Sequence, residues 1–289
     1  MRALCQRNLL LYFRDRSGVF FSLLGAMISF VLYIIFIKKS MVAEWQQVPG
    51  SHQLLDLWLI GGTLSITAVT TTLAALGQMV KDEERNIIKD FYLTDVSPFQ
   101  LKVSYMLSAG VIGFTTQLIM LAVMLGYFNG TDNLAIPWEK LPLIVLVALL
   151  SACLSVVLNM LLIQFIHKID SLSKVNSIIG TAAGFLIGTY LPIGALPQFA
   201  QWLIKLTPGA YVAAIYRQIL MTAKIHSAFQ SPIKEAHFNQ LMGVKLDWSH
   251  LLNLTATAEF LICLFVGSIL LIFVTELIKK YQSAIQLEK

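Results

Sequence analysis

The residue types that carry enzyme chemistry are present in this chain, but never in the spacing that chemistry needs. His52, His167, His226, His237 and His250 are scattered. No HExxH pair sits ready to hold a metal, and no G-x-x-x-x-G-K-[ST] loop offers backbone amides to a phosphate. There is no paired-aspartate cluster, and no serine, histidine and aspartate grouped at a glycine elbow. Cys5, Cys153 and Cys263 are odd in number and far apart, so they read as small buried hydrophobes rather than a disulfide frame or metal set. The expectation is a chain with no catalytic residues, no metal site and no cofactor of its own.

What remains is charge in unusual places. Lys81, Asp82, Glu83, Glu84, Arg85, Asn86, Ile87, Ile88, Lys89, Asp90 and Phe91 follow one another directly. As a helix they would gather Ile87, Ile88 and Phe91 on one side with charges around them. That is either a solvated connector or a docking surface for a partner protein. Glu259 is the acid deepest in an apolar run, where a charge costs about 2.5–3.5 kcal/mol on insertion scales. It reads equally as a substrate-pathway or inter-helix contact and as a carboxyl held protonated or hydrogen-bonded. Asp56 and Glu276 fall near the ends of apolar runs, within reach of water. Asn159, Gln117 and the run Thr70, Thr71, Thr72 could line a pathway, with inter-helix hydrogen bonding the favoured role. Gly180, Gly184 and Gly188 recur at every fourth position and would share a helix face, as a moving interface or, the favoured reading, as static packing.

The elements that must position these residues are membrane helices. Of the residues, 57% are hydrophobic and 13% charged, and the mean hydropathy is +0.73; soluble domains carry roughly 45–50% and about 25%. A helix needs ~20 apolar residues to cross ~30 Å of hydrocarbon. Runs at 17–37, 57–80, 103–128, 141–166 and 251–278 satisfy this. A shorter sixth run, 175–191, meets Pro192. Two half-length segments, 196–206 and 211–221, flank Thr207-Pro208-Gly209 and read as a re-entrant helix pair between spans five and six. The fold class expected is an all-α polytopic membrane protein with six transmembrane helices in one domain, 17–289, preceded by an interfacial helix at 1–16.

Lysine and arginine set the orientation. Arg2, Arg7, Arg14 and Arg16 precede the first span; Lys81, Arg85, Lys89 and Lys102 separate the second and third; Lys168 and Lys174 separate the fourth and fifth; Lys279, Lys280 and Lys289 close the chain. The short loops on the other side hold only Lys38, Lys39 and Lys140. Both termini are expected in the cytoplasm, with the chain in the plasma membrane. The charged lead is too long for a cleavable signal peptide. In the leading segment Cys5, Leu9, Tyr12 and Phe13 share one face, and Arg7, Asn8, Arg14 and Asp15 the other. A net charge of +5 spread between apolar runs is not a nucleic-acid surface.

In this order the features resemble the permease subunit of a type-2 ABC exporter, over almost the whole chain. Arg14-Asp15-Arg16 stands where that family has an interfacial connecting helix. Glu83-Glu84-Arg85-Asn86 is similar to its acidic-Glu-Arg-Gly element on the cytoplasmic coupling helix, with Asn86 in the glycine position. Thr94-Asp95-Val96-Ser97-Pro98 resembles its Ser/Thr-Pro turn into the third span. Gly184-Phe185-Leu186, Leu191-Pro192-Ile193-Gly194-Ala195-Leu196-Pro197, Leu206-Thr207-Pro208-Gly209-Ala210-Tyr211 and Tyr216-Arg217 resemble its small-residue helix, proline bend, second proline and terminal arginine.

The resemblance implies that Arg14, Glu83, Glu84, Arg85, Ile88 and Phe91 couple to a separate nucleotide-binding ATPase, which binds the ATP and Mg²⁺. It implies that Pro192, Pro197, Pro208 and Arg217 shape a re-entrant gate, and that a second permease, self or sister, completes the path between the first, second and fifth spans. Cargo would be hydrophobic or amphipathic: a drug, an antimicrobial peptide or a lipid-linked glycan. The alternatives are a membrane-embedded immunity or sensor protein, and an ion-coupled secondary carrier. The latter expects more intramembrane charge and repeat symmetry than this sequence has.

Overall fold

The computed structural model describes residues 1–248 and 250–287, the side chains of 276, 277 and 279–287 excepted. Glu276, Lys279, Lys280 and Lys289 therefore lie, as side chains, outside the described residues. Among the described residues all regular structure is helical; no strand forms, and one isolated bridge joins Asp247 to Leu251.

A short helix α1 (Arg2–Arg14) stops at Asp15, whose carboxylate accepts the Gly18 N–H at 2.9 Å and so caps α2 (Arg16–Leu32). A π-helical turn, Tyr33–Ile37, carries α2 into α3 (Lys38–Glu44) without a break. Then follow α4 (Ser51–Glu84), α5 (Ile87–Tyr92), α6 (Pro98–Asp132) and α7 (Leu141–Ile163). The second half holds α8 (Ile169–Leu186), α9 (Gln198–Lys205), α10 (Pro208–Ala228), α11 (Pro232–Leu241) and α12 (Leu254–Leu287). Five helical stretches are long and apolar enough to cross a membrane: Arg16–Glu44, Ser51–Glu84, Pro98–Asp132, Trp138–Ile163 and Leu254–Thr275. The protein is a multi-pass membrane protein.

Helix α4 is the axis of the fold, almost wholly buried under α2, α6, α7, α8 and α10. Its composition allows this. Gly61, Gly62, Gly77 and Ala68 leave room for neighbours, and the hydroxyls of Thr67, Thr70, Thr71 and Thr72 donate to carbonyls one turn back at 2.6–3.1 Å. A polar side chain that is satisfied within its own helix can be buried at little cost. By contrast the spanning part of α12 is largely exposed, as expected of a helix facing lipid.

Helices α8 and α10 both run antiparallel to α4, in series. Leu172 of α8 packs on Gly77 and Thr189, just past its end, on Gly62. Ser65 donates to the Gly209 carbonyl at the start of α10 at 2.7 Å, and Lys224 near its end bonds Gln53. The chain thus leaves α4 at residue 62, turns through Pro192 and Pro197, and returns at residue 65.

Here the structure corrects two boundaries. The expected run 175–191 is helical over 169–186 instead: the polar start, with Asp170, Ser173 and Lys174, lowers the hydropathy but is helical, and Gly188 at φ 67° ends the helix before Pro192. The expected half-length segment 211–221 is a helix of 21 residues, because α10 continues through Thr222 and Lys224.

Candidate functional site

The charged connector is built from the end of α4. Its C-cap Arg85 is followed by Asn86 at φ 61°, which lets the chain reverse into α5. Glycine takes that conformation freely and asparagine is among the few others that tolerate it, so the replacement of glycine leaves the bend intact. The connector ends in a capping box: the Gln100 N–H donates to Ser97 Oγ and the Ser97 N–H to Gln100 Oε1, both at 3.2 Å, with Pro98 at the first position of α6.

Three ties hold this connector to the rest of the protein. The first is Asp82, fully buried in the last turn of α4. Arg7 donates to both its oxygens, at 2.8 and 3.0 Å, while Tyr105 of α6 and Gln78 donate at 2.5 and 2.8 Å. The hydrogen bond and charge of Asp82 raise the Arg7 pKa above its ordinary value. The second tie is Asn8, which donates to Ser108 Oγ at 3.4 Å and fixes α1 on α6. The third runs to α8: Glu84 accepts the Ile169 N–H at 2.6 Å, capping that helix, and Glu83 lies 3.0 Å from His167 Nδ1.

The structure departs from several expectations here. Arg7 and Asn8, on the polar face of α1 with Arg14 and Asp15, both turn inward because Asp82 and Ser108 receive them, and Phe13 of the apolar face is exposed. Ile88 and Phe91 are partly buried and pack on the protein's own inner core, with Arg7 stacked 5.3 Å from the Phe91 ring. The apolar side chains that project are Tyr92, Leu93 and Phe99, at 52%, 88% and 75% exposure, among exposed Arg85, Lys89 and Asp90. Arg14 is exposed on the last turn of α1.

Along the N-terminal half of α4, away from the connector, Pro208 opens α10, Pro197 precedes α9 and Pro192 precedes a 3₁₀ turn, Ile193–Ala195. Arg217 is fully buried. Its guanidinium donates to the carbonyls of Trp58 at 3.2 Å, Gly188 at 2.8 Å and Gly243 at 3.3 Å, and lies 4.6 Å from the centre of the Trp58 ring. Near this end Asp56 is also fully buried rather than open to water, bonded by Tyr33 at 2.9 Å and Lys38 at 2.8 Å. Lys38 in turn reaches Asp132 at 2.7 Å.

The remaining candidates scatter. Asn159 donates to the Val69 carbonyl and to Thr72 Oγ1 at 2.9 and 2.8 Å, and Thr71 meets Thr116 at 3.0 Å, so both join helices. Glu259 is exposed on α12; that helix starts at Leu254, which sets the carboxyl nearer its end than a start at 251 implies. The glycine stripe is not one interface. Gly180 offers its carbonyl to Gly25 of α2, Gly184 sits under the Tyr190 ring, and Gly188 lies beyond the helix. Arg7 with Asp82, and Lys38 with Asp56, were missed as sites; each is an acid and a base on separate helices, and the only signal was a charge beside a long apolar run.

A family model for the ABC-2 type transporter matches residues 1–221. No curated protein and no solved structure matches. That match takes in the connector, α8, both proline turns and Arg217, more than half of the 289 residues. The chain belongs to the ABC-2 type transporter family, as a membrane permease component of an ABC transporter.

Proposed function

We infer that this permease is one half of an ATP-driven exporter. A separate ATPase subunit would dock on the connector through Leu93, Phe99 and the charges around them. The observation that supports this most is the form of the connector. It exposes large apolar side chains in a charged setting, and exposed apolar area of that size calls for cover, at ~25 cal/mol per Å². On its inner side it is tied through Asp82 to α1 and α6 and through Glu84 to α8. Movement of a docked ATPase would therefore reach α1, α4, α6 and α8 together, by rigid mechanical coupling. ATP and Mg²⁺ belong on that partner.

In this reading α8 makes the fifth of six crossings and α12 the sixth, and α9 with α10 forms the re-entrant pair between them. Their serial packing along α4 agrees with such a path. Arg14, Arg85 and the connector lie in the cytoplasm with both termini. A crevice of about 200 Å³ between α1, α2, α4 and α8 carries Tyr12, Gln78, Lys81 and Asn176 beside Leu73 and Ile179. Such a lining suits an amphipathic cargo entering from the inner side, with a second permease copy closing the path.

The test is co-purification in mild detergent of the permease with its co-expressed nucleotide-binding subunit. Leu93→Asp with Phe99→Ser, or charge reversal at Arg85, should reduce recovery of the ATPase at least tenfold while the permease stays monodisperse. Undiminished recovery would place the docking surface elsewhere.

A further inference from the structure

Arg217 is a buried cation with no carboxylate partner among the described residues. A lone charge in such a place is normally paired or absent, so its compensation must come from elsewhere. Two of its three acceptors share a geometry. Gly188 follows the C-cap of α8 at φ 67°, and Gly243 follows the C-cap of α11 at φ 61°. Both are left-handed residues at the C-terminal end of a helix, and both turn their carbonyls to the same guanidinium. Helix C-termini carry partial negative charge. The Trp58 carbonyl and ring complete the cage, and the Trp58 indole donates to the Met242 carbonyl at 2.6 Å, holding the end of α11 in place.

We propose that Arg217 is a positioning residue that latches this end of the permease, its charge holding the C-terminal ends of α8 and α11 against α4 and α10. The latch has a physical consequence. Drawing Gly188 away strands a guanidinium in an apolar interior, so this end opens only as water enters. The closed state is held by charge rather than by shape, because a side chain of similar volume without donors would leave the buried carbonyls of Gly188 and Gly243 without the donor they have now. Thr189, which follows Gly188 and is itself buried against Gly62, reports on the latch.

The experiment uses the full-length chain in lipid nanodiscs, where both faces are open to reagent, so neither orientation nor cargo enters. Cys5, Cys153 and Cys263 are replaced by alanine, and Thr189→Cys is labelled with a hydrophilic maleimide. Asn176→Cys, on the inner half of α8, serves as the control. Arg217→Met should raise the labelling rate at 189 at least tenfold and leave that at 176 within twofold. Arg217→Lys, which keeps the charge but reaches fewer carbonyls, should raise it about threefold. An unchanged rate in either variant, an equal rise at 176, or lysine behaving as methionine would each overturn the latch. If the methionine variant does not fold, the lysine comparison decides alone.

Discussion

Asp82 illustrates what one residue does in this protein. It is an acid with no exposure, held by Arg7, Tyr105 and Gln78 from three helices. Removing the cation leaves the carboxylate buried beside neutral donors alone. Arg7→Met should therefore lower stability by ~1.5–3 kcal/mol, the range for hydrogen bonds to charged groups, since Arg7 itself keeps some solvent. Thermal unfolding in detergent measures this. Asp82→Asn combined with Arg7→Met should recover part of the loss, because no charge is then stranded. Strictly additive losses would show that the two side chains do not act as a pair. Nothing in residue type distinguishes Asp82 from its exposed neighbours Glu83 and Glu84. Its role follows from the side of α4 on which it falls.

At the scale of elements, glycines show how far periodicity can be read. Gly180, Gly184 and Gly188 share a spacing, yet the close approach of two helices rests on a glycine outside that series. A Cβ on Gly25 would lie 2.7 Å from the Gly180 carbonyl oxygen, whereas one on Gly180 meets nothing within 4 Å. Gly25→Ala must push α2 away from α8 and should cost ~1–3 kcal/mol. Gly180→Ala should be neutral, or stabilising by up to ~1 kcal/mol as glycine leaves a helix interior. Thermal unfolding of the two variants side by side checks the contrast, and equal effects would refute the packing. The same helix shows why boundaries were misjudged. Hydropathy marks where a helix contacts lipid, while its ends are set by caps, here the Glu84 carboxylate at one end and Gly188 at the other.

Across the whole molecule the organising fact is the length of α4. At 1.5 Å per residue its 34 residues span ~51 Å, well beyond ~30 Å of hydrocarbon. Its two ends must therefore lie in different aqueous or interfacial layers. The connector projects from one end; the turn between α10 and α11 lies toward the other, with Lys224 on Gln53. Thr94→Cys and Gln230→Cys, both exposed, should then be labelled from opposite sides by an impermeant maleimide. With the connector inside, intact cells should label position 230 over the native-cysteine background and position 94 only after permeabilisation. Labelling of both from one side would overturn the topology.

The sequence by itself determined the membrane character of the protein, its helical class and its five long apolar helices. These are sums over neighbouring residues, and transfer of a helix into lipid depends on such sums. Only the tertiary structure decided which charges are buried and what compensates them. Arg7 and Asp82 are 75 positions apart and meet because α1 folds back on α4 and α6. Arg217 is satisfied by backbone carbonyls, which every residue possesses, so no pattern of residue types could announce its partners. Ion pairs and carbonyl cages are made by the packing of helices against one another, and that packing is recorded in no single stretch of the chain.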